Sequence, residues 1–361
     1  MRIGLIGLVA AGRSGVPRYA ASLLQALDRV APEHEDLSLE LVTTDAGAAR
    51  VEPRHLELQL VGRRLGSPRS GPRRIVAEQL AVAAHRPDLL HFFDLTGPLL
   101  ARRRPFVTTL HDAGPAHGYG RTRNFYKRFV HPWALRHAAA VVAVSAYARD
   151  EAVRLLGADP GRISVIHSGP GLEPTRARET SNGNRDGGFL LYVGDLSTHK
   201  NLPFLLDVFE EAGVPERLVL VGRRGDGYGN LRARIDASAA ADRIVVRENV
   251  GDAELESLYC DALATVLPSR YEGFGFTPLE AMARNCPVLA SDIPAVREVV
   301  GDGALLLPLD ARTAWVEAVR RVVEDRALAS DLRSRGHRVV AGYSWERTAR
   351  ELCALFRRIG S

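Results

Sequence analysis

The chain has 361 residues, of which 46% are hydrophobic, and 48 Lys plus Arg against 43 Asp plus Glu give a formal net charge of +5. A chain of this length can bury two cores of typical domain size. It holds no run of eighteen or more apolar residues and begins with no signal-peptide pattern, so we expect a cytoplasmic protein without a transmembrane helix. The three cysteines are odd in number and far apart, which argues against a disulfide framework or a cysteine metal site.

In chain order, the first half contains short apolar runs, each near a helical pattern, at 2–6, 89–93, 106–110, 140–144 and 163–167. Such near-continuous apolar runs are typical of parallel strands that are covered on both faces. Residues 168–188 are rich in Gly, Pro, Asn, Ser and charge and carry no apolar period, which predicts a linker. The alternation then resumes at 189–193, 218–221, 244–246, 262–267, 288–290 and 304–307.

This pattern predicts an α/β fold with two doubly wound Rossmann-like domains. We place the first domain at 1–168, the linker at 169–188 and the second domain at 189–343. A last helix is predicted within 344–361. Ligands of such sheets bind beyond the carboxyl ends of the strands, so we expect the functional site in a central cleft that both domains face.

Two features follow strands of the first domain. Residues 7–16, GLVAAGRSGV, form a glycine-rich turn that opens a helix. They fit neither the dinucleotide spacing G-x-G-x-x-G nor the P-loop ending, so the turn alone is compatible with a plain connection. His111 and Asp112 follow the strand 106–110 at its carboxyl end. His111 is either a ligand contact or a structural residue, and Asp112 is expected to cap its loop.

Lysine is rare in this chain, because only Lys127 and Lys200 among the 48 basic residues are lysines. A lysine that is retained where arginine is used almost everywhere needs a reason, and its compact ammonium suits a phosphate group. Lys200 follows the strand 189–193 and is a candidate for such a contact, with an exposed lysine at a helix start as the alternative. Lys127 lies in an arginine-rich helix and is expected to be solvated.

The segment 272–280, EGFGFTPLE, lies between the apolar run 262–267 and a new helix. Thr277 as the N-cap and Pro278 at the first helical position predict where that helix begins. The glycines of the segment, which include Gly275, let the main chain approach a ligand closely. The free N–H groups of a helix N-terminus favour a phosphate group in the same loop.

Two glutamates, separated by seven residues, bound this segment. Glu272, at the carboxyl end of the preceding strand, can accept hydrogen bonds from sugar hydroxyls. Glu280 stands three residues after the predicted cap, so it is either part of a capping box or a ligand contact. A carboxylate pair also serves glycoside hydrolysis, with one acid and one nucleophile, but a position in a helix cap suits Glu280 less for that chemistry.

These residues resemble the retaining nucleotide-sugar glycosyltransferases of the GT-B fold that form the large fourth family, glycosyltransferase group 1. The family signature E-x7-E is similar to 272–280, and a Pro-Ser pair precedes it here as in the family. The segment 192–202, YVGDLSTHKNL, is similar to the family's Y-V-G-x-L-x-x-x-K-N-L. Shorter similarities lie at 15–19, 109–112 and 144–147, so the resemblance runs from end to end of the chain.

The resemblance implies transfer of a sugar from a nucleotide-sugar donor, GDP-mannose-like or UDP-linked, to a hydroxyl of a glycan, lipid-linked or small-molecule acceptor. It implies retention by same-face attack, in which the leaving phosphate oxygen takes the acceptor proton. Its catalytic residues here are His111 beside the donor sugar, Lys200 on the diphosphate and Glu272 on the sugar hydroxyls. The donor-binding residues that it implies are Gly15, Val16, Gly194, Lys200, Arg223, Val250, Arg270, Phe274, Gly275, Phe276, Thr277 and Glu280, the last on a ribose hydroxyl.

The resemblance also implies that the last helix packs back on the first domain. No Asp-x-Asp pair stands at a candidate metal site, so we expect neither a metal ion nor another cofactor. Two positions depart from the family: Asp195 stands where many members carry an arginine, and His199 stands where an arginine often precedes the lysine. One half of the usual phosphate clamp is therefore missing from its place, and Arg223, Arg224 and Arg270 are the candidate substitutes.

A carboxylate beside a diphosphate costs binding energy through like-charge repulsion. We therefore expect the Asp195 side chain to turn away, toward His199 or an arginine. If it does not, the chain is a weak or inactive binder, so a nucleotide-sugar-binding protein without turnover is one alternative. Another enzyme of the same fold, such as a phosphorylase or an epimerase, is a second.

Arginines concentrate in the first domain, at 63–74, 102–104 and 121–136. A basic surface on this acceptor-side half is compatible with an anionic acceptor or with peripheral contact to a membrane. Phe125, Phe129 and Trp133 interleave with the charges of the last range at helical spacing, which is equally the pattern of a core-packed helix with a solvated face. No recognition motif for nucleic acid accompanies the charge, so we expect no nucleic-acid partner.

Overall fold

The computed structural model describes residues 1–11, 15–61, 72–99, 104–114, 127–172 and 188–360. The chain forms two compact units. Unit 1 comprises Met1–Gly171 together with Tyr343–Ser361, and unit 2 comprises Leu172–Gly342. The predicted domain limits lie next to these boundaries, and most of the predicted linker, residues 173–187, lies outside the described residues.

Unit 1 is built on one parallel sheet of seven strands in the order β3-β2-β1-β4-β5-β6-β7. The strands are β1 Arg2–Ile6, β2 Ser38–Thr43, β3 Glu57–Leu60, β4 Leu89–Phe92, β5 Phe106–Leu110, β6 Ala140–Ala143 and β7 Ile163–Val165. Its helices are α1 Gly15–Val30, α2 Asp45–Val51, α3 Pro72–Ala84, α4 Lys127–His137 and α5 Ala146–Leu156, and α13 Trp345–Gly360 at the end of the chain.

The central strands β1, β4 and β5 are buried almost throughout, because helices cover both faces of a parallel sheet. Helix α13 packs on α1 within this unit. Its buried face holds the Trp345 indole, which donates to the Pro170 carbonyl at 2.5 Å, and the Thr348 hydroxyl, which donates to the His167 carbonyl at 2.7 Å. Its outer face carries arginines such as Arg350, which pairs with Glu33 at 2.8 Å.

Unit 2 is built on a six-stranded parallel sheet in the order β10-β9-β8-β11-β12-β13. The strands are β8 Phe189–Val193, β9 Arg217–Val221, β10 Ile244–Arg247, β11 Ala264–Leu267, β12 Val288–Ser291 and β13 Leu305–Leu307. The helices are α6 Leu202–Ala212, α7 Tyr228–Asp236, α8 Asp252–Asp261, α9 Phe276–Met282, α10 Pro294–Val300, α11 Arg312–Glu324 and α12 Arg326–Val340. Both sheets have the doubly wound strand order of Rossmann-like folds, as the sequence predicts.

Two strands of unit 1 were not among the predicted ones. Strand β2 contains Glu40, a charged residue that is buried because Arg2 pairs with it at 2.7 Å, and this charge interrupts the apolar run. Strand β3 is at the edge of the sheet and its side chains are largely exposed, so it has no apolar face to announce it. None of the described helices combines the length and the apolar character needed to cross a membrane.

Candidate functional site

Three loops of unit 2 meet at one edge of its sheet. They follow β8, β9 and β11, and because β8 lies between the other two, the carboxyl ends of all three strands are neighbours. Main-chain hydrogen bonds connect the loops: the Leu196 N–H donates to the Arg223 carbonyl at 2.8 Å, and the Arg270 N–H donates to the His199 carbonyl at 2.9 Å. This edge is where ligands of doubly wound sheets bind.

Lys200 and Glu272, which are 72 positions apart in the sequence, meet at this edge. The Lys200 ammonium donates to Glu272 Oε1 at 2.7 Å, and the two side chains are only 15% and 13% exposed. Lys200 ends a short 3-10 turn, Thr198–Lys200, and is not an exposed lysine at a helix start. The arrangement places one cation and one hydrogen-bond acceptor side by side in a partly desolvated position, where charges act more strongly than in water.

Glycines make the close approach of these loops possible. A Cβ on Gly222 would lie 1.8 Å from the Gly194 carbonyl oxygen, and a Cβ on Gly194 would lie 2.7 Å from the Tyr192 hydroxyl. Gly275 has a φ of +107°, which L side chains rarely adopt. Gly194 and Gly222 therefore allow the loops after β8 and β9 to pack closely, and Gly275 adopts a backbone conformation that favours glycine.

The predicted start of the helix in the 272–280 segment is wrong. Helix α9 begins at Phe276 with Gly275 as its N-cap, so Thr277 is already inside the first turn and forms no capping box with Glu280. The left-handed conformation of Gly275 turns the chain into the helix two positions before the predicted first helical residue, Pro278. The Thr277 hydroxyl instead donates to the Val193 carbonyl at 3.1 Å and ties α9 to the end of β8.

Glu280 is 2% exposed, and its Oε2 accepts a hydrogen bond from the Tyr259 hydroxyl at 2.7 Å. The Arg284 guanidinium lies over the Tyr259 ring, 5.7 Å from its centroid. The carboxylate is therefore held by a buried network and not by the helix cap. Its role on a ribose hydroxyl stays a prediction.

Of the remaining predicted donor-binding residues of unit 2, Arg270, Phe274 and Phe276 follow β11, whereas Val250 follows β10. Phe274 and Phe276 contact edge to face with their ring centroids 5.3 Å apart, and Phe274 is buried. Arg270 Nε donates to the Asn201 side-chain oxygen at 3.1 Å. Val250 is half-buried in the loop after β10.

Asp195 turns to an arginine, one of the two kinds of partner that the sequence predicts. Arg223 binds both of its carboxylate oxygens at 3.0 Å. Next to Arg223, Arg224 pairs with Glu248 at 2.9 Å. The two arginines thus serve different carboxylates, although they are consecutive in the sequence.

Sequence reasoning missed Tyr192, which connects these groups. Its buried hydroxyl donates to the Asp195 carbonyl at 3.0 Å. Burial raises the pKa of Tyr192 well above its usual value, and the carboxylates of Glu272 and Asp195 raise it further. The tyrosine two positions before Gly194 was visible in the sequence, but its spatial relation to Glu272 was not. Tyr259, the partner of Glu280, was missed for the same reason.

His111, Gly15 and Val16 belong to unit 1. The His111 Nε2 atom forms a hydrogen bond with the Phe93 carbonyl at 2.8 Å, and its ring contacts Tyr19 edge to face at 4.7 Å. Tyr19 lies one turn after Gly15 on α1, so His111 lies beside the first turns of that helix. Asp112 accepts from the Gly114 N–H at 2.8 Å, which confirms its predicted role as a loop cap. Residues 12–14 of the glycine-rich turn lie outside the described residues.

Comparison with known proteins identifies the family. Residues 13–172 match the family described as Glycosyltransferase Family 4, and residues 175–339 match Glycosyl transferases group 1. The chain is 30% identical to the O-antigen chain mannosyltransferase RfbU of Salmonella typhimurium over 254 residues, which cover 70% of this chain and 68% of that protein. The chain belongs to the group 1 glycosyltransferases. It is accordingly an enzyme that transfers a glycosyl group.

Two further similarities complete the comparison. The chain is 31% identical to a D-inositol 3-phosphate glycosyltransferase of Nocardioides sp. over 231 residues, 57% of this chain and 50% of that protein. The solved sucrose-phosphate synthase of Thermosynechococcus elongatus superposes with a TM-score of 0.76 at 23% identity, over 99% of both chains. The predicted GT-B fold class is therefore confirmed.

Proposed function

We propose that this glycosyltransferase moves a hexosyl group from a nucleotide-sugar donor to a hydroxylated acceptor and retains the anomeric configuration. The observation that carries the proposal is the Lys200–Glu272 pair at the carboxyl edge of the unit 2 sheet, 2.7 Å apart and largely shielded from water. A nucleotide sugar has two groups that such a pair can bind: a diphosphate, which needs a cation, and sugar hydroxyls, which need an acceptor.

Each residue has a defined part in the proposed reaction. Lys200 neutralises the negative charge that grows on the leaving diphosphate as the anomeric C–O bond breaks, and a fixed charge in a shielded position does this without reorganisation. Glu272 accepts hydrogen bonds from hydroxyls of the donor sugar. The acceptor hydroxyl attacks from the face that the diphosphate leaves, and the leaving phosphate oxygen takes the acceptor proton.

The contributions of the other predicted residues follow from their positions. Main-chain groups near Gly194 and Gly275 are proposed for contacts to the donor, because neither residue carries a side chain that would cover them. Glu280 is proposed for a ribose hydroxyl and Phe274 and Phe276 for shaping the same loop. In unit 1, His111 is proposed for a hydroxyl of the donor sugar, and Gly15 and Val16 for backbone contacts to the diphosphate.

We propose a mannosyl group, as GDP-mannose, as the first donor to test, because a similar relative is named a mannosyltransferase. UDP-linked sugars are the second candidate. For the acceptor we propose a hydroxyl of a glycan, of a lipid-linked sugar or of a small molecule such as an inositol phosphate, since a further relative is named for that substrate. An anionic acceptor is compatible with the arginine-rich sequence of the first half.

The test begins with thermal denaturation in the presence of GDP, UDP, TDP and ADP. A ligand at about a hundred times its dissociation constant stabilises the folded protein by roughly 2.7 kcal/mol, so the cognate base stands out. The matching nucleotide sugars are then supplied with candidate acceptors, and NMR of the product reports its anomeric configuration. An inverted product would exclude the proposed mechanism, even though the family assignment would stand.

We also propose that no metal ion takes part, because cationic side chains and amides are available for the diphosphate. In the described parts of the chain, no group of three or more His, Cys, Asp or Glu side chains is placed to hold a metal ion. Turnover is therefore expected to be unchanged in EDTA. Loss of turnover in EDTA, with recovery on addition of Mg²⁺ or Mn²⁺, would contradict this part of the proposal.

A further inference from the structure

Each cation at the carboxyl edge of the unit 2 sheet that sequence reasoning proposed for the donor has a partner in the structure. Lys200 pairs with Glu272, Arg223 with Asp195 and Arg224 with Glu248, while Arg270 binds the Asn201 amide oxygen. The three ion pairs are electrically neutral as they stand. A diphosphate that binds at Lys200, Arg223 or Arg224 must therefore compete with a carboxylate for that cation.

The order of the strands separates Arg223 from Arg224. Both follow β9, which lies between β8 and β10 in the sheet. The Arg223 guanidinium binds Asp195 in the loop after β8. Strand β8 is also the neighbour of β11, the strand that leads to Glu272. Arg224 reaches Glu248 after β10, on the opposite side, and its guanidinium lies 4.8 Å from the centroid of the Tyr228 ring. Of the two arginines, Arg223 is thus the one whose side chain extends toward the loop that carries Lys200.

The loop that carries Lys200 is connected to Arg223 through the main chain. Asp195 and Lys200 belong to the same loop, and the Leu196 N–H in that loop donates to the Arg223 carbonyl at 2.8 Å. The Tyr192 hydroxyl is electrostatically influenced by both Glu272 and Asp195, so the two carboxylates that hold Lys200 and Arg223 lie near the same phenol oxygen. Lys200 and Arg223 are therefore each paired with a carboxylate that acts on the Tyr192 hydroxyl.

The two pairs differ in how firmly the carboxylate is held. Arg223 and Asp195 are 58% and 45% exposed, whereas Lys200 and Glu272 are 15% and 13% exposed. An exposed ion pair contributes little free energy, so its carboxylate is replaced readily. A guanidinium also matches a phosphate group with two parallel hydrogen bonds, and the diphosphate as a whole carries more negative charge than one carboxylate.

We propose that Arg223 is the second cation of the donor-diphosphate site and that Asp195 is a resident anion which the diphosphate displaces. The inference rests on the proposed use of a nucleotide-sugar donor. It explains why a carboxylate is compatible with a phosphate site: Asp195 holds Arg223 in place while the site is free and competes with the diphosphate for it. Competition of this kind weakens the binding of the donor and of the nucleoside diphosphate product alike.

The decisive measurement is made without Asp195, because Arg223→Met alone would also leave Asp195 unpaired and repulsive. We would titrate GDP, UDP and the monophosphates GMP and UMP calorimetrically into wild type, Asp195→Asn and the double variant Asp195→Asn/Arg223→Met. Asp195→Asn should tighten diphosphate binding by about threefold, since an exposed competing pair is removed. Adding Arg223→Met should then weaken it by about tenfold, the loss of a charge-assisted contact, and should leave the monophosphates within about twofold.

The neighbouring pair supplies the matched control. Glu248→Gln and Glu248→Gln/Arg224→Met make the same changes of charge one residue away, and diphosphate affinity should stay within about twofold in both, because general charge effects on exposed sites are small. Equal affinity of Asp195→Asn and its double variant for the diphosphates would overturn the inference, since Arg223 would then only neutralise Asp195. An equal loss for Arg224 would overturn it too.

A Lys200→Met arm separates this inference from the proposed function. If Lys200→Met abolishes diphosphate binding while the Arg223 arm shows no effect, the donor site stands and only the role of Arg223 and Asp195 is wrong. If neither wild type nor Asp195→Asn binds GDP, UDP, TDP or ADP, the proposed function and this inference both fail.

Discussion

The two units differ in how some of their polar side chains are stabilised. At the sheet edge of unit 2, charged side chains are held by partners, and several of these pairs reach solvent. In unit 1, His91 is completely buried, its Nδ1 atom forms no hydrogen bond with any described residue, and burial lowers its pKa to about 3. Glu78 is also buried, and burial raises the pKa of its carboxyl group. A charged ligand can thus exchange partners at the sheet edge of unit 2, whereas burial in unit 1 favours the uncharged forms of the His91 and Glu78 side chains.

The largest expected effect is that of Lys200→Met on turnover. If the charges of unit 2 exist to be exchanged with a diphosphate, removal of this cation should reduce turnover by about 10²–10³-fold, the range found for a preorganised electrostatic contact. Lys127→Met is the matched control, because Lys127 is the only other lysine in the chain. Steady-state kinetics with the cognate donor and circular dichroism of both variants provide the measurement. Unchanged turnover in folded Lys200→Met would remove this residue from the site.

Glu272→Gln should separate the sugar from the nucleotide. The variant keeps the shape of the side chain but loses the charge, so turnover should fall by about 10–100-fold while GDP or UDP binds at least as well as to wild type, because Lys200 no longer has a competing carboxylate. Glu248→Gln changes a nearby exposed glutamate and should alter neither quantity. Equal weakening of the bare nucleotide and of the full donor would show that Glu272 is not a sugar contact.

The sequence predicted the location of this site better than its internal pairing. Apolar runs and the predicted doubly wound sheet placed Lys200 and Glu272 after strands of the second domain, at the carboxyl edge where ligands of such sheets bind. The partner of Asp195 was narrowed to His199 or an arginine, but which arginine reaches it depends on the order of β8, β9 and β10. That order is a tertiary property, which no local pattern in this chain expresses.

The incorrect predictions have local physical causes. The cap at Thr277 followed from a residue preference, but Gly275 can adopt a φ of +107° and so starts α9 earlier than a side-chain cap would. Strand β2 was missed because a buried glutamate interrupts its apolar pattern, and its compensating arginine is on another strand. The Gly275 conformation is local to its segment, whereas the Arg2–Glu40 pair is visible only once β1 and β2 are in contact.

The pH dependence of stability should reveal that His91 is buried in its uncharged form. The pKa of His91 is about 3 in the folded protein and about 6.5 in an unfolded chain, so the unfolded state binds the extra proton between these values. The contribution of His91 to the free energy of unfolding is complete above about pH 6.5 and is lost as the pH falls toward 3. The loss amounts to about 2 kcal/mol at pH 5.

Urea unfolding at pH 7 and pH 5 measures this loss. His91→Gln is the comparison, because it removes the titrating group and keeps a polar side chain. We expect the variant to be less stable at pH 7 but to lose about 2 kcal/mol less than wild type between the two pH values. The same pH response in both proteins would show that the folded protein does not lower the pKa of His91. The contrast between the two units would then not apply to this residue.

The smallest expected effects concern how α13 is attached to the rest of unit 1. If this unit depends on buried neutral contacts, Thr348→Val should lower the free energy of unfolding by about 1 kcal/mol, because the His167 carbonyl loses the hydroxyl of the buried Thr348 that donates to it at 2.7 Å. Arg350, on the same helix as Thr348, forms an exposed ion pair with Glu33. Glu33→Gln removes this pair and should leave the unfolding curve unchanged within error. Both are measured by urea unfolding at pH 7. A larger loss of unfolding free energy for Glu33→Gln than for Thr348→Val would mean that exposed charge, and not burial, holds α13 in place. Unit 1 would then resemble unit 2 in depending on exposed ion pairs.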